Sequence, residues 1–188
     1  SATVAPTAYS FNEGEEAPIP KNELFPLAVT QKDEYIFFSC RGSIDANIKG
    51  QVQLWDNMLF NKQSTYEFET TSKPWHIIES PISNEVFVVL SGDEDSSGSA
   101  GLACLSYSES GELSLKWETL SPTFDALHGV TVSSDGSRLY VSSRGDGSVH
   151  VFDGETGTLI NSVDGIGMMM DMSMDMGSLS GIAITQSE

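Results

Sequence analysis

Positively charged residues are scarce in this sequence of 188 residues. Nine lysines and arginines stand against 27 aspartates and glutamates, which gives a formal net charge of −18 at pH 7. Because the phosphates of a nucleic acid would repel such a surface, the composition excludes a nucleic-acid partner. It suits a cationic partner, a metal ion, or a salty medium in which excess carboxylates keep a protein in solution.

Long apolar runs and cysteines are also few. Hydrophobic residues make up 39% of the chain, and no run approaches the ~18 apolar residues of a membrane helix. The chain is long enough for one domain with a core of its own. Cys40 and Cys104 are its two cysteines. Whether they pair stays open, because sequence spacing does not fix disulfide geometry.

The chain lacks an initial methionine and the common catalytic motifs. Its small, polar start is typical of a mature end left by processing, which predicts a secreted, periplasmic or cell-surface location. A recombinant start would look the same. No Gly-rich phosphate loop and no Gly-x-Ser-x-Gly elbow is present, and Ser39, Ser142 and Ser143 have no histidine at motif spacing. We therefore predict that the protein is not an enzyme.

Residues 127–163 contain four short strand patterns separated by turns. The strands are predicted over 127–133, 138–143, 147–153 and 158–163, with alternating β-branched residues in the first. Asp135-Gly136 supplies the positive φ that a tight hairpin needs. Four antiparallel strands in so short a stretch are typical of one propeller blade, and a blade cannot bury both of its faces alone.

The same unit recurs along the chain. Gly129 aligns with Pro26, His76 and Gly181, at steps of roughly 50 residues, which is the period of propeller blades. We predict blades over 23–70, 72–120 and 125–163, a partial fourth over 178–188, and an arm over 1–22. The alternative is a β-sandwich with coincidental spacing, and the agreement of strands with glycines disfavours it.

One stretch resembles a known repeat. Ser134-Asp135-Gly136-Ser137-Arg138-Leu139-Tyr140-Val141, preceded by Leu127-His128-Gly129-Val130, is similar to the YVTN-type propeller repeat. That group includes lactonase-like proteins, surface-layer repeat proteins, and the propeller domains of nitrous oxide reductase and cytochrome d1 enzymes. The resemblance implies an all-β propeller of four-stranded antiparallel blades, and it specifies fold better than function.

The fourth repeat breaks off after one strand pattern. Three blades and a fragment do not close a ring, and an open propeller exposes edges that aggregate. The arm could complete the fourth blade within the chain or in a second copy, so that two chains make an eight-bladed ring. We expect a homo-oligomer, with a fragment of a longer parent as the alternative.

Two histidines fall at the entrance of inner strands. In the repeat register Trp75 aligns with His128, and His76 aligns with Gly129, so both histidines should line the central channel. They are either metal ligands or polar channel-lining residues. The resemblance to nitrous oxide reductase implies copper, but this chain offers two histidines, off by one position. His150 is interpreted as a hydrogen-bonded histidine between blades.

Six of the seven methionines fall within nine residues of a loop over 167–177. Thioethers are soft, uncharged ligands that suit Cu(I), while neighbouring aspartates add harder oxygens for Cu(II). The alternative is an adaptable apolar patch that docks a protein partner. The predicted metal ligands are Met168, Met170, Met172, Met174, Met176, Asp171 and Asp175, with His76 and His128.

These predictions combine into an exported, acidic propeller that binds copper through the methionine-rich loop for storage, delivery or electron transfer. The alternative is a non-catalytic interaction or structural module, such as a surface-layer or filament subunit that assembles by strand exchange. A lactonase-like enzyme is the third hypothesis, and it would need more acids and histidines at the channel mouth than the sequence places there.

Overall fold

The protein, analysed as a computed structural model, is built from β-strands. The structure describes residues 25–42, 48–69, 73–92, 100–164 and 181–184. Its twelve strands form three four-stranded sheets, here called blades 1, 2 and 3. No helix in these ranges could span a membrane.

Blade 1 contains β1 to β4 and blade 2 contains β5 to β8. The strands of blade 1 are β1 (Phe25–Lys32), β2 (Tyr35–Arg41), β3 (Gln51–Asp56) and β4 (Lys62–Glu67). Those of blade 2 are β5 (Pro74–Glu79), β6 (Glu85–Leu90), β7 (Gly101–Tyr107) and β8 (Leu113–Leu120).

Blade 3 contains β9 (Leu127–Val132), β10 (Arg138–Ser143), β11 (Val149–Asp153) and β12 (Leu159–Val163). In every blade each strand pairs antiparallel with the next in sequence. The predicted all-β fold of three four-stranded antiparallel blades is confirmed. Residues 181–184, which repeat the pattern of a first strand, are not in a strand. An inner strand needs a second strand to pair with, and none of the described residues pairs with them.

The turn between β9 and β10 shows how the sequence fixes these hairpins. Gly136 has a φ of 70°, as the Asp-Gly pair predicts. The Asp135 carboxylate accepts hydrogen bonds from Ser133 Oγ at 2.6 Å and from Ser137 N at 3.0 Å. These bonds hold the pKa of Asp135 down, at about 2.

The blades stack so that their first strands lie side by side. β5 contacts β1 on one side and β9 on the other, which makes β1, β5 and β9 the inner edge of the stack. Lys32 Nζ donates from blade 1 to Ser80 O of blade 2 at 2.7 Å and also to Ser83 O. Thr30 Oγ1 donates to the Glu79 carboxylate across the same junction.

A hydrophobic core fills each of the two junctions. The core between blades 1 and 2 includes Phe37, Val52, Leu54, Ile77, Val86 and Val88. The core between blades 2 and 3 includes Phe87, Val89, Leu102, Val130, Leu139 and Phe152. Because side chains alternate across a strand, blade 2 packs both of its faces against another blade, whereas among the described residues blades 1 and 3 each pack one face against a blade.

Candidate functional site

The predicted histidine pair lies at the inner edge of blades 2 and 3. His76 is on β5 and His128 is on β9, and both side chains are half-buried. The Trp75 and His128 rings are in contact, with centroids 4.8 Å apart and planes inclined by 48°. The repeat register aligns Trp75 with His128, and the structure brings these two side chains into contact across blades 2 and 3.

A hydrogen bond between blades fixes the state of His76. The backbone N–H of Val130 donates to His76 Nδ1 at 3.0 Å. A neutral imidazole has one N–H and one acceptor nitrogen, so this bond assigns the ring proton to Nε2. Burial, and then the nearby His128, lower the pKa of His76 and favour that neutral form. His76 therefore presents an N–H donor at the inner edge.

Metal binding at this histidine would require a change in that arrangement. A metal ligand must offer a lone pair, and the only lone pair of neutral His76 accepts the Val130 N–H. No group of three or more His, Cys, Asp or Glu side chains among the described residues could hold a metal ion. The predicted ligands between Met168 and Met176 lie outside the described residues, so the copper site stays a prediction.

His150 lies in the core beside blade 2, as interpreted from its strand position. Its side chain is 5% exposed and its ring packs 5.1 Å from that of Phe124. Nδ1 lies 2.8 Å from Ser162 Oγ, while Nε2 is buried and has no hydrogen-bond partner. Burial lowers the pKa of His150, although Asp146 and Asp164 oppose that shift.

The Ser162–His150 contact is a serine next to a base, but it does not form a triad. In a catalytic triad a third group accepts a hydrogen bond from the other imidazole nitrogen and orients the ring. That nitrogen, Nε2 of His150, has no partner among the described residues. The pair is therefore a hydrogen bond between a buried histidine and a serine on the exposed strand β12.

The two cysteines are buried and unpaired. Both Cys40 and Cys104 are free thiols, which answers the question that the sequence left open. Burial raises the pKa of each thiol, and for Cys104 it does so strongly. Because the thiolate is the reactive form, burial disfavours reaction at either cysteine.

A cleft between the turns of blades 2 and 3 was not predicted from the sequence. Its volume is about 260 Å3, and its lining includes Ile82, Phe87, Asp135 and Gly136. Lys116 closes one side by pairing with Glu85 at 2.7 Å and Glu155 at 3.4 Å. No sequence pattern predicts this cleft, because its walls come from three separate hairpins that meet only when the blades stack.

Comparisons with known proteins show a likeness in fold. No family model matches the chain, and no curated protein matches it significantly in sequence. The Cps50 (Swd1) β-propeller domain of Myceliophteria thermophila matches 76% of this chain, with a TM-score of 0.57 and 10% identity. A protein from Lactobacillus plantarum matches 75%, with a TM-score of 0.58 and 22% identity.

The matched part of each solved structure is less than half of its length. This chain covers 42% of the Myceliophteria propeller domain and 42% of the Lactobacillus protein. At these identities the likeness shows the fold alone. Together with the three stacked blades, it establishes that this chain has the β-propeller fold.

Proposed function

We propose that the protein is a non-catalytic interaction module that closes its propeller by packing against a second copy of itself. The observation that carries the proposal is the contrast between covered and uncovered blade faces. Blade 2 lies between two cores, whereas the outer faces of blades 1 and 3 have no blade of the described residues packed on them. An apolar sheet face is stabilised by packing against another layer.

The outer face of blade 1 is aromatic and partly apolar. Phe38 and Trp55 form an edge-to-face pair, with ring centroids 6.2 Å apart. Val29 pairs with Phe38 across the strands and is 59% exposed. Trp55 Nε1 donates to Gln53 Oε1 at 3.1 Å, so this polar group is already satisfied within the face. The face is therefore suited to burial against another sheet.

The outer face of blade 3 is partly apolar and also carries the Arg138–Asp153 pair, at 3.4 Å. Tyr140 pairs with Val151, and Val149 pairs with Val163, which is 46% exposed. These side chains lie on the face opposite Leu139 and Phe152, which are buried against blade 2. Packing the blade 3 face of one copy on the blade 1 face of another would repeat the stacking seen within the chain.

Ring closure fits the size of the architecture. Propellers typically have 4–8 blades, and each copy contributes three complete ones. Since one chain covers 42% of the similar solved structures, two copies would supply most of a ring. The predicted strand exchange by the arm over 1–22 would add to this closure, and it lies outside the described residues.

A lysine on either face tests the proposal. Val29→Lys places a charge on the outer face of blade 1, and Val151→Lys places one on the outer face of blade 3. Neither valine is fully buried in the single chain, so a lysine fits at both positions. Each variant should fold as judged by circular dichroism and sediment as a monomer. Leu115→Lys, on the outermost strand of blade 2 and 41% exposed in the parent, is the matched control and should keep the dimer. Retention of the dimer in both face variants would refute ring closure through these faces.

Copper binding by the methionine-rich loop is the second candidate function. It is supported by the clustering of six methionines within nine residues, since thioethers favour Cu(I) and need no deprotonation. Asp171 and Asp175 would add oxygen ligands for Cu(II). The docking of a protein partner on the same loop is the competing hypothesis.

Leucine substitutions separate copper binding from docking. Replacing Met170, Met172, Met174 and Met176 together with leucine keeps volume and apolar character but removes the sulfur lone pairs. In competition with a Cu(I) chelator the variant should lose most of its affinity, while Asp171→Asn with Asp175→Asn should weaken Cu(II) alone. Unchanged Cu(I) affinity in the leucine variant would rule out these ligands.

The pH dependence of Cu(I) binding tests the histidines. If the histidines were ligands, the affinity should be lower at pH 5 than at pH 7.5, because protons compete with the metal for the imidazole lone pair. Titrations at pH 5 and pH 7.5 make the comparison. Equal affinity at both would exclude the histidines and leave the thioethers as the ligands.

A further inference from the structure

The turn between β3 and β4 displays three consecutive large apolar side chains. Met58 is 85% exposed, Leu59 is 74% exposed and Phe60 is 66% exposed. Single exposed apolar residues are common on protein surfaces, but a contiguous group of them marks an interaction site. We call these three residues the apolar turn.

Internal hydrogen bonds hold this turn in one shape. Met58 N and Leu59 N both donate to Asp56 Oδ1, at 2.8 and 2.6 Å. Phe60 N donates to Asp56 O at 3.0 Å, and Asp56 N donates to Asn61 O at 2.9 Å. Every backbone N–H of the apolar turn is therefore paired inside the protein. Such a turn can enter a dry environment without leaving a donor unsatisfied.

Blade 3 contains the same turn with a different surface. Glu155 N and Thr156 N donate to Asp153 Oδ1, both at 3.0 Å, and Gly157 N donates to Asp153 O at 2.9 Å. The bonding scheme is that of blade 1, but Glu-Thr-Gly replaces Met-Leu-Phe. The apolar side chains of blade 1 are thus not required by the hairpin.

Phenylalanine at the last position of the apolar turn is unfavourable for the isolated chain. Phe60 has a φ of 50°, and the equivalent Gly157 has a φ of 70°. A non-glycine residue in this region costs about 1–2 kcal/mol. Blade 1 therefore carries both backbone strain and exposed apolar area at a site where blade 3 has neither, which indicates that the side chains serve a contact outside the chain.

Acidic residues lie on one side of the apolar turn. Asn57 N donates to Glu34 O at 2.7 Å, and Tyr35 Oη donates to Glu109 O at 2.8 Å. Burial raises the pKa of Tyr35 most. The carboxylates of Glu34, Asp56 and Glu109 lie close enough to its hydroxyl to raise that pKa further. Asp33 is exposed beside them. Lys62, at the start of β4, follows Phe60 by two residues in the sequence.

We propose that the apolar turn is an anchor that inserts into an apolar pocket of a protein partner whose pocket is bordered by lysines and arginines. A buried aromatic or aliphatic anchor inside a polar rim is the usual arrangement of an interface. The neighbouring carboxylates supply charge complementarity to a basic rim. The apolar turn lies at the end of the β3–β4 hairpin and the outer face of blade 1 lies along its strands, so different variants test docking and ring closure.

A membrane is the less favoured occupant. Biological membrane surfaces carry a negative potential, which would oppose the carboxylates beside the turn. The few apolar side chains available also leave little free energy to offset that repulsion. A basic protein partner turns the same carboxylates into a favourable contribution.

A matched pair of variants tests the anchor. The triple variant Met58→Ser, Leu59→Thr, Phe60→Gly gives blade 1 a turn like that of blade 3 at unchanged net charge, and it should fold because that sequence type already forms this turn. The rim variant Asp33→Asn, Glu34→Gln, Glu109→Gln keeps the apolar turn and removes charge. The probes are an amphipathic peptide of leucine and lysine, its leucine and glutamate counterpart, and neutral phosphatidylcholine vesicles.

The parent chain should bind the leucine–lysine peptide, with about tenfold or more loss of affinity in the triple variant. The rim variant should also weaken binding, and the leucine–glutamate peptide should not bind. Equal peptide affinity for the parent and the triple variant, including no affinity for either, would overturn the proposal. Binding to vesicles that is lost in the triple variant, without a difference in peptide binding, would overturn it in favour of a lipid surface. In every case the oligomeric state of the triple variant reports separately on ring closure.

Discussion

Blade 2 and its two neighbours are built from the same four-strand unit, yet among the described residues blade 2 packs against a blade on both faces and each neighbour on one. On β2 of blade 1 the contrast falls between adjacent residues: Phe37 points at blade 2 and is fully buried, while Phe38 points the other way and is half-buried. A blade sequence therefore encodes two packing faces whether or not both are used within the chain. The outer faces of blades 1 and 3, on which no blade of the described residues packs, are where further blades would pack.

The largest expected effect comes from this adjacent pair. Phe37→Ala should lower the free energy of unfolding by about 3–5 kcal/mol, because it leaves a cavity between two blades. Phe38→Ala should cost clearly less at low protein concentration, where its face is uncovered. Urea unfolding monitored by tryptophan fluorescence measures both.

The costs of Phe37→Ala and Phe38→Ala should depend differently on protein concentration. If a second copy covers blade 1, the cost of Phe38→Ala should rise as the concentration increases, while that of Phe37→Ala should stay constant. A cost of Phe38→Ala that equals that of Phe37→Ala at every concentration would show that the two faces are covered alike within one chain.

The next effect concerns the β11–β12 turn. A Cβ on Gly157 would lie 2.4 Å from Trp117 Cε3, and the glycine φ is 70°. Gly157→Ala should therefore lower the free energy of unfolding by about 1–3 kcal/mol. Thermal unfolding checks this loss, and an unchanged midpoint would contradict the close packing of the turn on Trp117.

A smaller effect should follow from acid pH. Burial lowers the pKa of His76 and of His150 in the folded protein. Their contribution to stability is therefore present above the unfolded pKa of about 6.5 and is lost as pH falls from there through the lowered folded pKa. The free energy of unfolding should be lower at pH 5.0 than at pH 7.5, and His150→Gln should reduce that difference. The same pH difference in the variant would exclude His150 as a contributor.

The smallest effect should come from the apolar turn. Phe60→Gly removes a phenylalanine from positive φ, and the gain is partly offset by the greater freedom of glycine in the unfolded chain. We expect stabilisation of at most about 1 kcal/mol. Differential scanning calorimetry would detect it, and a destabilised variant would mean that the Phe60 side chain packs within the chain.

Much of the fold could be predicted because the information is local and repeated. Asp135-Gly136 marks a hairpin, β-branched alternation marks its strands, and the recurrence of this pattern at blade spacing identifies the architecture. The observed β10, Arg138–Ser143, matches its predicted range. The repeat register also placed Trp75 level with His128, and their rings are in contact.

The site was harder to predict because its properties depend on contacts between blades. The Val130 N–H that donates to His76 Nδ1 belongs to a different sheet, so no spacing in the sequence predicts this hydrogen bond. The cleft beside Ile82 and Gly136 arises from the stacking of separate hairpins. The residues Met58-Leu59-Phe60 can be read in the sequence. Only the equivalent turn of blade 3 shows that the hairpin does not require apolar side chains there.

The central proposal is that a second copy of the chain packs on the outer faces of blades 1 and 3. Multi-angle light scattering on the unaltered chain, over a range of concentrations, tests it most directly. We predict a species of twice the 20.3 kDa chain mass that dissociates on dilution. A single species of 20.3 kDa at every concentration would contradict ring closure by a second copy.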